Sequence, residues 1–394
     1  MFKKVAFLGS GLITAIVVDK VVSIKQATKT KSMLVSSGVA LLGVAGLAVW
    51  KSKESLFFSG GASIWAIYQA LRTPNKTNLL TQDNALSVSF KNADVSLETL
   101  LAQNNIQPPR TPQTLKVVLD VYNRRNDHID ITRYFWRNAQ TDDARTGWVP
   151  ASTVKVFAVV SALQRLTELG FDDTAIITFK DVGQKISIAD LITRTIVDSD
   201  NMSYNRLVQL AGHSRMSEML DKDFPNTALN KPYLVDDWSK LTRGNTTFNA
   251  PDIVVSDSKK TTIIEAAAQR PPSLCKSVSA CTQLSELNSL MARATIFQNL
   301  QISKPLHDRL LRALAAPKPR GSGFSNSIEA HATKYEFMSF HKHGFNGEWY
   351  SQTVVLLNNH ADRAFVVSAV GAKGDRTLLN DVGRAIGELI QKAF

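Results

Sequence analysis

The stretch that decides the fold runs from residue 148 to residue 163 and reads WVPASTVKVFAVVSAL. After Pro150 its apolar residues recur at the spacing of a buried helix, and Ser152 stands where that helix begins. Residues three apart on a helix share a face, so the Lys155 amine can reach the Ser152 hydroxyl. Burial favours the neutral lysine that accepts a proton, and first-turn amides favour an oxyanion. The stretch therefore predicts a serine at the start of a core helix, with a lysine placed where it could act as its base.

Two more short motifs follow along the chain, Ser199-Asp200-Asn201 and Lys342-His343-Gly344. A Ser-x-x-Lys motif alone has little weight, because the chain repeats it at Ser256 to Lys259 and at Ser273 to Lys276, where no amphipathic helix begins. The alternative interpretation of Ser152 is a helix-capping serine followed by a lysine whose amine reaches solvent. Each motif taken alone leaves both interpretations open.

The periodicity of the chain predicts strands near both ends of the region after residue 95 and helices between them. Such an order is typical of an α+β domain whose terminal strands share one antiparallel sheet. The predicted strands cover residues 115–122, 129–136, 337–342 with a continuation through 349–358, and 364–372; the predicted helices cover 96–105, 152 to the low 220s with a break near 180–185, 284–316 in two blocks, and 378–394.

The three motifs resemble the signature of class A β-lactamases and related penicillin-recognising serine hydrolases. The resemblance covers most of residues 95–394 and includes a helix-like segment at 202–212, a helical pair at 291–314, and an end of an omega loop at 245–251. It implies a β-lactamase/transpeptidase-like fold, in which an antiparallel sheet is combined with a helical subdomain.

The resemblance also implies the catalytic roles. Ser152 attacks the substrate carbonyl with Lys155 as its base, and the backbone amides of Ser152 and Phe345 form the oxyanion hole. Ser199 relays a proton towards the leaving nitrogen, and Lys342 supplies positive charge beside Ser199. The mechanism needs no metal ion and no organic cofactor.

The same resemblance assigns the substrate-binding residues. Asn201 binds the substrate amide, and His343, Gly344 and Phe345 line the substrate along the third motif. Asp200 holds its loop in place rather than reacting. The expected partner is a small-molecule or peptide substrate.

Two positions depart from the family pattern. His343 stands where the family has a threonine or serine that helps to bind a substrate carboxylate, which leaves recognition of ordinary penicillins open. The best match to the omega-loop glutamate that activates the deacylating water reads Asn230-Lys231-Pro232. Asp236 and Asp237 are the nearest acids, and their other interpretation is a solvated turn. We therefore expect slow hydrolysis of the acyl-enzyme.

Three functions are compatible with these motifs. The first is a serine hydrolase of class A β-lactamase type, which acts through an acyl-enzyme at Ser152 on a β-lactam or related amide. The second is a D,D-carboxypeptidase or transpeptidase that acts on cell-wall peptides. The third is a non-catalytic membrane sensor for β-lactams or muropeptides, against which the presence of Ser152, Lys155 and Ser199 argues.

Residues 1–80 contain three apolar stretches, 5–18, 33–50 and 56–71, separated by lysines. A spanning helix needs about 20 apolar residues, and the second stretch approaches this length. We therefore predict membrane-anchoring segments followed by a linker at 81–94. The catalytic domain is then expected to face the periplasm or the cell exterior. A signal peptide and a helical hairpin packed on the soluble domain are the alternatives.

The charge and the cysteines limit the partners. The chain has a net charge of +12, but residues 1–80 carry ten basic and two acidic residues, and no zinc-finger or RNA-binding pattern is present, so we expect no nucleic-acid partner. Cys275 and Cys281 form either a short disulfide or two buried thiols.

His341 and His343 alternate on a predicted strand, but a third metal ligand is not evident.

Overall fold

The computed structural model describes residues 87–229, 248–250, 252–265, 267–269, 275, 280–317, 323–358 and 362–394. The chain divides at residue 76 into two units, and all described residues belong to the second unit. The predicted membrane segments at 5–18, 33–50 and 56–71 lie outside the described residues, as do Asp236 and Asp237. Within the described ranges, no helix is both long and apolar enough to cross a bilayer.

A six-stranded sheet forms the centre of the described unit, and all its neighbouring strands are antiparallel except the first pair. Strands from both ends of the chain meet where residues 363–370 pair with residues 116–123, which confirms the predicted α+β architecture with a shared sheet. In sheet order the strands are β1 (Ser87–Asn92), β3 (His128–Phe135), β2 (Lys116–Arg125), β14 (Arg363–Ala372), β13 (Trp349–Asn358) and β12 (Phe337–Phe345).

Helices cover both faces of this sheet, so strands β13 and β14 are buried along most of their length. One face packs on three helices in a core that includes Leu97, Phe324 and Ile386; these helices are α1 (Leu97–Gln103), α9 (Gly323–His331) and α10 (Arg376–Ala393). The larger core lies on the other face, where Phe157 and Leu163 are fully buried. The helices of this core are α3 (Lys155–Glu168), α4 (Ile188–Ile196), α5 (Asn201–Ala211), α6 (His213–Asp223), α7 (Leu284–Thr295) and α8 (Lys304–Leu314). The short helix α2 (Ala139–Asp142) follows strand β3 along the chain.

Short strands add structure that the periodicity does not predict. The break predicted near residues 180–185 is a hairpin, which joins a second hairpin from after residue 250 in a four-stranded sheet. Its order is β5 (Gln184–Ser187), β4 (Ile176–Phe179), β8 (Ile253–Ser256) and β9 (Thr261–Ile264). Two small ladders complete the set, β6 (Ala228–Leu229) with β11 (Ala280–Cys281) and β7 (Phe248–Ala250) with β10 (Ala267–Gln269).

The predicted linker at 81–94 is too long, because strand β1 lies within it. All six residues of β1 are exposed, so they show no buried face that a sequence pattern could indicate. The strand is held by parallel pairing with β3, from Ser87 opposite His128 to Asn92 opposite Arg133. The folded domain therefore begins before Val95.

The two cysteines form a disulfide between Cys275 and Cys281, which excludes the alternative of two free thiols. Both are buried against Ala228 of β6. The bond thus lies beside the ladder that joins β6 to β11.

Candidate functional site

Ser152 lies in a single 3-10 turn, Ala151–Val154, that leads directly into helix α3. Two hydroxyls hold this turn, because Thr153 Oγ1 and Ser351 Oγ both donate to the Pro150 carbonyl, at 2.6 and 2.5 Å. Ala151 adopts a left-handed backbone with φ of 49°, a conformation that a residue with a side chain rarely occupies. The turn presents a partly exposed Ser152 between buried neighbours.

Lys155 occupies the first position of α3 and is fully buried. Its Nζ donates to the backbone carbonyl of Ser199 and to Oδ1 of Asn201, the latter at 2.7 Å. Burial lowers the pKa of Lys155 to about 7, although the nearby Asp200 carboxylate raises it in part. A substantial fraction of this amine is therefore neutral near physiological pH, as a general base requires.

The second motif forms the turn that precedes helix α5. Ser199 has a left-handed φ of 57°, and Asp200 caps the helix by accepting from the Ser203 amide at 2.7 Å. Burial would raise the pKa of Asp200, but the hydrogen bonds from Ser203 lower it on balance, so the carboxylate stays charged. Asp200 thus fixes the turn that points Ser199 and Asn201 at Lys155.

The third motif lies on β12, the outer strand of the sheet. Lys342 is buried, and its Nζ donates to Ser199 Oγ at 2.9 Å and to the His343 carbonyl at 2.8 Å. Burial lowers the pKa of Lys342 well below its usual value, and the charge of Lys155 lowers it further. Burial and then Lys342 lower the pKa of His343 to about 4, so its imidazole is neutral at physiological pH.

Gly344 brings β12 directly against the serine turn. A Cβ atom at Gly344 would lie 2.6 Å from the Ser152 amide nitrogen, 2.7 Å from Ser351 Oγ and 2.9 Å from the Thr153 amide nitrogen. Real Cβ atoms are not found so close to backbone atoms, so this approach needs a glycine. The backbone that leads to Phe345 therefore passes beside the Ser152 amide.

The structure brings the three predicted motifs together. Lys155 and Lys342 both contact Ser199, and Gly344 contacts the turn of Ser152. Sequence reasoning missed Thr153 and Ser351, which fasten the turn, because their shared hydrogen bonds join residues almost 200 positions apart. No pattern along the chain indicates such a pair.

Two other features of the described residues were compared with this site, namely groups of metal-binding side chains and a cavity. Within the described part of the chain, no group of three or more His, Cys, Asp or Glu residues is placed to hold a metal ion. A cavity of about 510 Å³ lies between α6 and β9, where Arg215 and Ile263 line it, and none of the motif residues reaches it. Ser152 lies close to two lysines whose pKa values are lowered and to the backbone of β12.

The sequence and fold were compared with known proteins. The sequence model described as "Beta-lactamase enzyme family" matches residues 143–394. No curated protein sequence matches the chain. An acyl-enzyme complex of a PBP-A variant with penicillin G is 16% identical, with a TM-score of 0.48 over 76% of this chain and 98% of that one.

Two further solved structures share this degree of likeness. A class A β-lactamase from Bacteroides cellulosilyticus DSM 14838 is 11% identical, with a TM-score of 0.48 over 76% of this chain and 99% of its own. A β-lactamase from Burkholderia vietnamiensis is 14% identical, with a TM-score of 0.47 over 77% and 99% of the two chains.

Proposed function

Because the chain belongs to the beta-lactamase enzyme family, we propose that it is a serine hydrolase that forms an acyl-enzyme at Ser152. The observation that carries this proposal is the buried Lys155 amine, whose pKa is lowered to about 7 one helical turn after Ser152. An amine with such a pKa accepts a serine proton at neutral pH, whereas a solvated lysine remains charged.

In the proposed acylation, Ser152 Oγ attacks the substrate carbonyl and Lys155 Nζ takes the serine proton. The amides of Ser152 and Phe345 stabilise the oxyanion, which the approach of Gly344 to the Ser152 amide supports. Ser199 then gives its hydroxyl proton to the leaving nitrogen and receives in its place the proton that Lys155 took, so that Lys155 is neutral again. Lys342 keeps the Ser199 hydroxyl oriented through the 2.9 Å hydrogen bond. The amide bond breaks, and an ester to Ser152 remains.

In the proposed second half of the reaction, water hydrolyses this ester slowly. The position that matches the family's water-activating glutamate carries Lys231, and a lysine cannot take that role while charged. Asp236 and Asp237 stay candidates for the base on sequence grounds alone. A long-lived ester favours a D,D-carboxypeptidase or transpeptidase acting on cell-wall peptides as the second candidate function, because such an enzyme does not need rapid hydrolysis of a penicillin ester.

The proposed substrate is a β-lactam or a related amide or peptide, since all of these present a carbonyl with a nitrogen leaving group. We further propose that residues 1–80 anchor the chain in a membrane and that the catalytic unit faces the periplasm or the cell exterior. The disulfide between Cys275 and Cys281 supports this side of the membrane, because disulfides persist in oxidising compartments.

Incubation with a fluorescent penicillin tests the proposal. Intact mass spectrometry should find one covalent adduct on the wild-type chain and none on Ser152→Ala. Ser256→Ala is the matched control, because Ser256 begins another Ser-x-x-Lys motif on strand β8, and it should keep the adduct.

The fate of the adduct separates the candidate functions. An adduct that decays with release of the opened lactam favours a β-lactamase, and one that persists favours a D,D-peptidase. A sensor predicts that Ser152→Ala still binds the ligand and keeps its biological effect. An adduct formed equally by Ser152→Ala would contradict the assignment of the nucleophile.

A further inference from the structure

Ser351 carries a fully buried hydroxyl on strand β13, beside the turn that holds the proposed nucleophile. Its Oγ donates to the Pro150 carbonyl at 2.5 Å, two residues before Ser152. Burial of a hydroxyl costs free energy unless the group is hydrogen-bonded, and the same strand continues through the buried apolar residues Val354–Leu357. The bond to Pro150 thus offsets the cost of a polar side chain at this position.

The same side chain lies in the contact between the serine turn and strand β12. Ser351 is the ladder partner of Gly344. A Cβ atom at Gly344 would lie 2.7 Å from Ser351 Oγ and 2.6 Å from the Ser152 amide nitrogen. Ser351 therefore contacts both elements that meet at the site, the turn through Pro150 and strand β12 through Gly344.

The two donors of the proposed oxyanion hole belong to these same two elements. The Ser152 amide is part of the turn Ala151–Val154, whereas the Phe345 amide lies on β12, one residue after Gly344. Two donors bind one oxyanion well only while their separation is fixed, and a misplacement of about 1 Å can cost roughly a hundredfold in rate. A contact that joins the turn to the ladder therefore controls the geometry of the hole.

Thr153 also donates to the Pro150 carbonyl, at 2.6 Å, but that bond has a different effect. Both of its ends lie within residues 150–153, so it closes the turn on itself, as does the backbone bond from the Thr153 amide to the same carbonyl. The contact of Thr153 Oγ1 with β13, at 3.2 Å, is again made to Ser351 Oγ. The left-handed Ala151 inside the turn stores strain, so the turn needs such support to keep its position.

We propose that Ser351 is a positioning residue for acylation, which aligns the Ser152 and Phe345 amides by fixing the serine turn to the β12–β13 ladder. The inference rests on the proposed function and adds a residue that acts through the oxyanion hole and not on the substrate itself. Loss of the Ser351 hydroxyl should lower the acylation rate roughly tenfold to a hundredfold, since the turn keeps its own hydrogen bonds but can move relative to β12.

The test compares Ser351→Ala with the wild type, both as the full-length chain in detergent. The rate of adduct formation at Ser152 is measured against the concentration of the fluorescent penicillin, which separates the limiting acylation rate from the half-saturating concentration. We expect the limiting rate to fall and the half-saturating concentration to stay close to that of the wild type.

Two further readouts distinguish the hole from the base. Phenylboronic acid forms a reversible tetrahedral adduct with a nucleophilic serine, and its affinity should fall by a factor similar to that of the rate, because this adduct occupies the oxyanion hole. The hydrogen bonds of the Lys155 amine to Ser199 and Asn201 do not involve Ser351, so the pH at which the acylation rate rises should stay unchanged.

Ser368→Ala is the matched control. Ser368 carries a fully buried hydroxyl on the adjacent strand β14, and its Oγ donates to Thr353 Oγ1 at 2.9 Å. Its replacement removes one buried hydrogen bond from the same sheet but none from the serine turn, so the acylation rate should stay at the wild-type value while the melting temperature falls about as much as in Ser351→Ala. Ser351→Cys keeps nearly the same volume with a weaker donor and should give an intermediate rate, so the test does not depend on the folding of Ser351→Ala.

The outcomes separate this inference from the proposed function. A wild-type acylation rate in Ser351→Ala, an equal loss of rate in Ser368→Ala, or a shifted pH profile in Ser351→Ala would overturn the positioning role and leave the acyl-enzyme standing. Absence of any adduct on the wild-type chain would overturn the proposed function and, with it, the oxyanion hole that Ser351 aligns.

Discussion

Lys155 and Lys342 lie in one buried site, where the charge of Lys155 adds to the effect of burial on Lys342. We expect the rate of Ser152 acylation to rise with pH through about 7, because the neutral fraction of Lys155 grows as the pH passes its pKa. The Asp200 carboxylate raises that pKa, so Asp200→Asn should shift the rise to lower pH while the amide oxygen still caps α5. Adduct formation measured between about pH 5 and about pH 9 gives both profiles.

The control for this profile is Asp190→Asn. Asp190 also lies in the first turn of a helix, where it accepts from the Ser187 hydroxyl, but it is not among the groups that shift the pKa of Lys155. Its profile should therefore match the wild type. A rise that stays in place in Asp200→Asn would contradict the assignment of the rise to Lys155.

Gly344 lets β12 lie directly against the serine turn, so its replacement should act mainly on catalysis. In Gly344→Ala the new Cβ atom must push the Ser152 and Thr153 amides away. Loss of one oxyanion donor costs roughly a hundredfold to a thousandfold in rate, and we expect a decrease of that order in acylation. Gly374→Ala is the matched control, because a Cβ atom there meets nothing within 4 Å. Normal acylation by Gly344→Ala would show that the amides of the turn do not bind the oxyanion.

At the scale of elements, a buried ion pair ties β2 and β3 to helix α7. Arg133 donates twice to Asp120, at 2.7 Å each, and also to the Ser285 carbonyl at 3.4 Å. Arg133→Met leaves the fully buried carboxylate without its partner, so we expect a loss of about 3 to 5 kcal/mol in the free energy of unfolding at neutral pH. Denaturant unfolding measures this loss.

The pH dependence of stability in Arg133→Met shows whether the unpaired Asp120 carboxylate causes the loss. Burial raises the pKa of Asp120 in the folded chain, and removal of Arg133 raises it further. A folded pKa above the unfolded one means that stability falls as pH rises past the unfolded value of about 4, so the deficit should shrink in acid. Arg125→Met is the control, because Arg125 lies on β2, the strand of Asp120, is 80% exposed and should change stability little. A deficit independent of pH would point to lost packing instead of an unpaired charge.

The elements that sequence reasoning predicted are those with a local pattern. Helix α3 shows continuous apolar periodicity, and the terminal strands carry long apolar runs, so their existence and order followed from the chain itself. Helix α9 has no such pattern and begins at Gly323. It is formed against α10, where Gly383 and Gly387 leave room for the backbone: a Cβ atom at either would lie 2.5 Å from a carbonyl of α9. No local sequence pattern indicates contacts of this kind between two helices.

The residues of the candidate site fall into the same two groups: those with a local sequence pattern and those that only folding brings together. The three motifs could be found because each has a fixed local spacing, and the role of Asp200 followed from the family resemblance. The contact of Thr153 with Ser351 could not be found, since these residues come together only when strand β13 reaches the serine turn. The four-stranded sheet also depends on distant pairing, between Ile176 and Ser256.

At the scale of the whole molecule, the start of the catalytic unit can be tested by truncation. A chain that begins at Thr77 keeps β1, whereas one that begins at Val95 exposes the edge of β3 that β1 covers. Unpaired strand edges promote association, so we expect the shorter chain to aggregate and to unfold at lower temperature. Light scattering and a thermal melt compare the two. Equal behaviour would mean that β1 contributes nothing to the stability of the sheet.

The location of the whole chain follows from the proposal that residues 1–80 anchor it and that the catalytic unit faces outwards. We expect the full chain to sediment with membranes and the chain from Thr77 to remain in the supernatant. Protease added to intact spheroplasts should degrade the catalytic unit while a cytoplasmic marker protein survives. The disulfide supplies a second readout, since Cys275 and Cys281 should resist a thiol reagent added before lysis. Cleavage only after lysis, together with reactive thiols, would place the catalytic unit on the cytoplasmic side and leave its chemistry to act on a substrate found there.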